Sequence, residues 1–327
     1  MTRDQQDQVE GFERMPAATQ PLPTTGEIPG GPSGQGKIDV ADKALSTRQL
    51  AWRRFRRHRL AIAGGIVLLL LGVAAVFAPF LSSYKYYSQD LAHTLLSPNG
   101  KHWFGTDGLG RDQFTRVLFG GRVSLLVGLT VAVSAGVIGA VIGSVAGYYG
   151  GWIDNVMMRV TDLFLSIPFL VILLIGAKAV GGSVLDIIII LSAFFWMYDA
   201  RIVRGVFLSL KEKEFVEAAR ASGASDKRII FYHMLPNVMG PIIVNVTLGV
   251  AAAILTESAL SFLGFGVKPP TPTWGNMLDD AQGFTLTAPW LVWFPGLAIL
   301  VTVLAVNFLG DGLRDALDPH QKIVGNA

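Results

Sequence analysis

Four long stretches of this chain carry no charged side chain. Residues 60–81 make 22, 123–153 make 31, 238–256 make 19 and 281–310 make 30. A helix needs about 20 mostly apolar residues to cross a bilayer, and in lipid the backbone must satisfy its own polar groups. These stretches therefore read as membrane-spanning helices. Composition agrees: 16% of the 327 residues are charged and 51% are hydrophobic, against about 25% charged in an ordinary soluble domain. Two shorter apolar stretches, 163–177 and 187–198, are bounded by Asp162, Lys178, Asp186 and Asp199. Lying between longer spans, they read as two more helices with charges at their ends. The expected fold is an all-α polytopic membrane protein. Its six spans fall near 60–81, 123–148, 161–180, 186–206, 238–264 and 289–309.

The positive charges orient these spans. Arg53, Arg54, Arg56, Arg57 and Arg59 put five arginines into seven residues just before the first span, which favours the cytoplasmic side for that end. With six spans both termini are then cytoplasmic, and 20 of the 27 basic residues lie inside. Arg111, Arg116 and Arg122 form an awkward cluster on the outside. Before the arginines, residues 1–36 hold 11 glycines and prolines and almost no aliphatic periodicity, so a disordered tail is expected there. It does not read as a signal peptide, because the apolar stretch begins too late and runs too long. The loop 82–122 is expected outside, with 111–119 forming a helix that leads into the second span.

Several chemistries are excluded or unsupported. The chain has no cysteine, which removes disulfides, thiol catalysis and thiolate zinc sites. No phosphate-cradling Gly-x-x-x-x-Gly-Lys-Ser/Thr loop occurs. His58, His93, His102, His233 and His320 make no close pair on a helix face, so no metal site is expected. The glycine-rich run 105–110 follows no strand and opens no βαβ unit, and its ligand spacing for Ca²⁺ is incomplete.

The segment between the fourth and fifth spans is the most informative. Residues 211–237 read as helix, turn and helix on the cytoplasmic side. Phe215, Ala218, Ala219 and Ser222 share a face of the first helix. Gly223 suits a left-handed C-terminal cap, Ser225 an N-cap of the next helix. Ile229, Ile230, His233 and Met234 continue at helical spacing, and Pro236 marks the entry to the fifth span. From these residues alone, two readings stand equally: an amphipathic hairpin packed on its own bundle, or a docking surface for another protein.

Glu217-Ala218-Ala219, three residues, Gly223, nine residues, then His233-Met234-Leu235-Pro236 resembles the EAA motif of ABC-importer permeases. The general motif has Ile where this chain has His233, and the peptide-importer branch commonly has His. Residues 104–112, 269–278 and 309–319 resemble that branch as well, so the resemblance covers about 45–320. It points to the C-type permease of a dipeptide or oligopeptide importer, with the type I importer permease fold. The implied layout is a tail at 1–45, a first span with external loop at 46–122, a five-helix core at 123–311 holding a coupling hairpin at 210–236, and a cytoplasmic tail at 312–327. The resemblance implies a non-catalytic subunit of a bacterial cell membrane. Its implied partners are a second permease, two cytoplasmic ATPases that bind ATP and Mg²⁺, and an external substrate-binding lipoprotein, with peptide as substrate and no nucleic acid. Carried over by position, Glu217, Ala218, Ala219 and Gly223 form the ATPase-coupling surface, and Leu235 and Pro236 fix its return to the fifth span. Permeases for nickel, glutathione and murein peptides share these motifs.

Glu257 is the one acid in the apolar run 238–267. Intramembrane acids are costly and face a cavity or a partner, so Glu257 belongs to the translocation pathway or to a structural pair. Asn245 and Asn307 are weaker candidates of the same kind. Asp199 and Arg201 are expected to pair near the cytoplasmic end of the fourth span. A secondary transporter would need discontinuous spans in repeated halves, and neither is visible in the sequence.

Overall fold

The computed structural model describes residues 47–318, and these contain helices and no strand. The expected tail at 1–45 and the last residues, 319–327, lie outside the described residues. In chain order the helices are α1 (Thr47–Phe55), α2 (Arg59–Val76), α3 (Ala78–Leu81), α4 (Gln113–Tyr149), α5 (Gly151–Ser166), α6 (Phe169–Val180) and α7 (Val184–Lys211). Then follow α8 (Glu214–Ala221), α9 (Asp226–Arg228), α10 (Leu235–Phe262), α11 (Trp274–Ala281) and α12 (Trp290–Leu317).

Four helical runs are long and apolar enough to cross a membrane: Arg59–Val76, Gln113–Tyr149, Asp226–Phe262 and Trp290–Leu317. They coincide with the four uncharged stretches. The expected third span is not one straight helix. It breaks between α5 and α6, which meet at 89°. Pro168 is the cause, since it has no N–H to donate and forces Ile167 out of the helical region, to φ −82° and ψ 135°. Helix α7 has the length of a crossing at 28 residues, but it carries Asp186, Asp199, Arg201 and Arg204. Composition alone therefore does not mark it as a span. Asp199, Arg201 and Arg204 are met by protein groups, as described below. Other boundaries shift outward. Helix α4 starts at Gln113, so the expected lead-in helix and the second span are one continuous element. The last helix runs on to Leu317, into the stretch expected as a tail.

The bundle is organised by α4. Its Gly139, Gly143 and Gly147 lie one turn apart against α7. A Cβ at Gly143 would sit 2.8 Å from Val203 Cβ and 3.0 Å from the Arg204 nitrogen; one at Gly147 would sit 2.9 Å from the Arg204 carbonyl oxygen. No side chain fits there, so the two backbones touch. In lipid the hydrophobic effect does not drive helices together, and small residues that allow close approach take its place. Hydroxyls of Ser134 on α4 and Ser192 on α7 add a 2.6 Å hydrogen bond. Around this pair, Val127, Val131, Leu173, Ile187, Leu191, Ala253 and Leu260 form a core shared by α4, α6, α7 and α10. Helix α2 packs along α12 and turns Leu69 and Leu70 outward, 66% and 63% exposed.

Gly143→Val should lower the stability of the detergent-purified chain by about 1–3 kcal/mol through overpacking, read as an earlier thermal unfolding transition. Gly205→Val, where an added Cβ meets nothing within 4 Å, should leave that transition in place.

Candidate functional site

The hairpin after α7 forms as its residue types dictate. Helix α8 places Glu214 and Glu217 in its first turn and Arg220 in its last, the order its dipole favours. It ends in a two-bond left-handed cap: the Gly223 N–H donates to Arg220 O (2.9 Å) and the Ala224 N–H to Ala219 O (3.1 Å). Gly223 has φ +77°, which L side chains rarely adopt. Ser225 sits at the N-cap of α9 in extended conformation, but its side chain makes no capping bond, contrary to expectation. After α9 the chain does not continue as α-helix. Residues Ile229–Met234 form a π-helical turn, in which the Leu235 N–H reaches back to Ile230 O. Pro236 follows as the second residue of α10 and does not interrupt the helix. The wider turn accommodates a ring that would collide with the preceding turn of a regular helix.

The hairpin has an inner and an outer side. Val216, Ile229, Ile230, Met234 and Val238 are buried with Tyr148, Val203 and Phe207, with Ala219, Ala224 and Leu235 packed around them. The face expected to unite Phe215, Ala218, Ala219 and Ser222 is not the buried one. Val216 is the inward anchor, and Phe215, Glu217, Ala218, Ser222, Gly223 and Pro236 are exposed. Tyr148 ties the hairpin to the end of α4: its hydroxyl donates to Asp226 Oδ1 at 2.7 Å, and the Arg220 guanidinium lies 5.4 Å from its ring centre. The hairpin is thus packed on its own bundle on one side and open on the other.

At the far end of the bundle, two of the three arginines that looked misplaced, Arg111 and Arg116, are neutralised. Asp107 accepts from Arg111 Nε at 2.6 Å and also pairs with Arg116; Asp280 accepts from Arg111 Nη2 at 2.8 Å and Arg116 Nη2 at 3.0 Å. The carboxyl of neighbouring Asp279 is pushed up by partial burial and by the charge of Asp280. Asp112 caps α4 by accepting from the Thr115 N–H at 2.8 Å and contacts His102 Nδ1 at 2.8 Å. The glycine-rich run 105–110 is the turn that presents Asp107. Helix α11 is seated beside it by Trp274, whose ring nitrogen donates to Val117 O at 3.0 Å.

Beneath α11 lies Glu257, fully buried. Its carboxylate accepts from Ser261 Oγ at 2.7 Å and Ser124 Oγ at 3.2 Å, and Ser124 Oγ accepts from the Trp274 N–H at 3.3 Å. Asn307 is half-buried on α12. Asn245 on α10 donates to Asp199 on α7. Asp199 therefore does not pair with Arg201, which is bonded to Asp162, while Arg204 is bonded to Asp154. Asp199 and Asn245 line a cavity of about 310 Å³ between α4, α6, α7 and α10; Glu257 and Asn307 are not in its wall. The Asp107–Arg111–Arg116–Asp280 cluster and the π-turn escaped sequence reasoning. Asp280 is 169 residues from Arg111, so no local spacing announces the contact.

Arg116→Ala would leave Asp107 without one of its buried partners and should cost about 3–5 kcal/mol, read as a lower yield of folded protein and earlier thermal unfolding. Arg116→Lys should rescue only part of that loss, because one ammonium cannot reproduce the two-acid fork.

Comparison with known proteins agrees with this architecture. Residues 139–323 match the model of the family described as binding-protein-dependent transport system inner membrane component. Residues 46–98 match the N-terminal TM domain of oligopeptide transport permease C. The chain is 43% identical over 279 residues to dipeptide transport system permease protein DppC of Alkalihalophilus pseudofirmus, covering 85% of this chain and 92% of the relative. It is 43% identical over 281 residues to the DppC of Bacillus subtilis, covering 86% and 88%. It is 42% identical over 274 residues to glutathione transport system permease protein GsiD of Escherichia coli O157:H7, covering 83% and 90%. The chain belongs to the family of binding-protein-dependent transport system inner membrane components, the non-catalytic, multi-pass permease subunits of ABC importers.

Proposed function

We propose that this chain forms one half of the translocation pore of a di- or oligopeptide importer and takes up the work of its ATPases through the hairpin at 210–236. The observation that carries the reading is the two-sided build of that hairpin. Its inner side is locked to the bundle by Val216 and by the Tyr148–Asp226 bond, while Glu217, Ala218 and Gly223 are exposed. A hairpin that only completed its own bundle would not need a small-residue outer surface ending in a glycine with φ +77°. Ala219, half-buried, supports that surface from beneath, and Leu235 and Pro236 carry it into α10. Motion imposed on the hairpin passes directly into a continuous helical run, Asp226–Phe262, in keeping with rigid-element switching.

In this reading the partners are a second permease, two ATPases that hold ATP and Mg²⁺, and an external binding lipoprotein. The chain sits in the bacterial inner membrane, with the Arg53–Arg59 cluster and the hairpin in the cytoplasm and the Asp107–Asp280 cluster outside. The names of the relatives support peptide-like cargo: two are dipeptide permeases and one a glutathione permease. Glutathione is the second reading, supported by a near-equal identity. Glu257, enclosed by Ser124 and Ser261, reads as a structural pair rather than a pathway group, and Asn307 as secondary to Asn245.

An added Cβ at Gly223 meets nothing within 4 Å in this chain, so a side chain there strains the backbone by roughly 1–2 kcal/mol and intrudes only on a docked protein. Gly223→Val should leave the chain inserted and paired with the second permease, yet lower ATPase attachment about tenfold, which is about 1.4 kcal/mol. Binding-protein-stimulated ATP hydrolysis and uptake should fall with it. Full stimulation and full uptake in Gly223→Val and in Glu217→Lys would refute the coupling role. The topology has its own check. A cysteine introduced at Ser225 should resist a membrane-impermeant thiol reagent in intact cells and one at Thr271 should react, with no background from this cysteine-free chain.

A further inference from the structure

We propose that the cavity between α4, α6, α7 and α10 holds the protonated amino terminus of a peptide, with Asp199 as its counter-ion. The proposal rests on the peptide-pore reading and adds which group of the substrate is held, and where. The cavity, about 310 Å³, is lined by Phe169, Phe195, Tyr198, Asp199, Asn245 and Thr256, together with small and aliphatic residues. Among its lining residues Asp199 is the one charged side chain. It lies half-buried, 15 residues into the 28-residue α7, and an ionisable group midway along a membrane helix is costly unless it is used.

The basic residues closest in sequence do not serve it. Arg201 is engaged by Asp162 and Arg204 by Asp154. Asp199 accepts a hydrogen bond from a neutral amide, the Asn245 side chain, and an ionised carboxylate accepts at about four positions. The carboxyl group is therefore held in place with acceptor capacity to spare. Gly139 presses the α4 backbone against the Asp199 side chain and fixes its root. Three aromatic rings complete the wall, with Phe169 and Phe195 edge-on at 5.5 Å. Aromatic faces attract cations, more strongly where water is excluded.

A carboxylate, an amide and aromatic walls recognise an ammonium group. Dipeptides and glutathione, the cargoes in the relatives' names, differ in length and linkage but share a free α-ammonium. The lining has no basic side chain for the substrate's carboxylate, so this half of the pore grips the amino end.

The test uses the assembled transporter with Thr256→Cys in a chain that has no native cysteine. Thiosulfonate reagents of matched size, one cationic and one anionic, are compared for rate of reaction. The cation-to-anion ratio should exceed the ratio for a free thiol in solution by about tenfold or more, the effect expected of one nearby charge in a partly desolvated site. Adding Asp199→Asn should return it to the solution value, and Asp199→Glu should keep it raised. Dialanine should protect the thiol at lower concentration than N-acetyl-dialanine by about tenfold, and Asp199→Asn should abolish the difference. No reaction with either reagent, a ratio insensitive to Asp199→Asn, or equal protection by the two peptides would overturn the site while uptake of dialanine by the unmodified transporter leaves the peptide reading standing. Absence of that uptake would overturn both.

Discussion

The contact on which the rest of this structure depends is backbone against backbone, where Gly139, Gly143 and Gly147 of α4 meet α7. It does what composition alone cannot do for α7, a helix with five charged residues along its length. Drawn flush against α4, α7 turns Arg201 and Arg204 to the acids of α5 and leaves Asp199 to Asn245 of α10. Each of these three charges then meets a protein group rather than lipid. A side chain at Gly143 would separate the helices and remove the geometry that makes α7 tolerable in a membrane at all.

The two ends of the bundle are built by different physics. At the hairpin end the holding force is apolar burial around Val216, Ile230 and Met234, with one buried-edge hydrogen bond from Tyr148. At the opposite end it is charge, with two arginines shared between two acids, nearly buried at Arg111 and Arg116. The charged end resists piecemeal change, because removing one partner strands the others. The apolar end leaves its outer surface free of structural duty, and that surface is where Glu217 and Ala218 are found.

The strong helices were legible because lipid imposes a simple rule, and uncharged runs of about 20 residues obey it. The cap at Gly223 was legible for a similar reason, since few residues accept its backbone angles. What escaped was set by distant partners. Asp199 beside Arg201 looked like an ion pair in the sequence, yet each turned to a different helix, because neighbours two apart on a helix do not face each other. Arg111 and Arg116 looked out of place until Asp280 arrived from beyond the fifth span. The break at Pro168 did have a local signal in the Ile167–Pro168 step, but the apolar run on both sides of it suggested one helix. Val216 was overlooked because the alanines and Phe215 around it look equally suited to a core.

The π-helical turn at Ile229–Met234 has a consequence for the phase of everything beyond it. Each residue of a regular helix advances the angle by about 100°, and a wide turn absorbs one residue without the matching advance. The azimuth of Asn245 toward Asp199, and of Glu257 toward Ser124, is therefore set at the foot of the helix, next to the hairpin. Were that turn to tighten into ordinary α-helix, the rod above it would rotate by roughly a quarter-turn. Asn245 would leave the cavity wall and Glu257 would lose its hydroxyls together, so the hairpin sits beside the one place from which both can be turned at once.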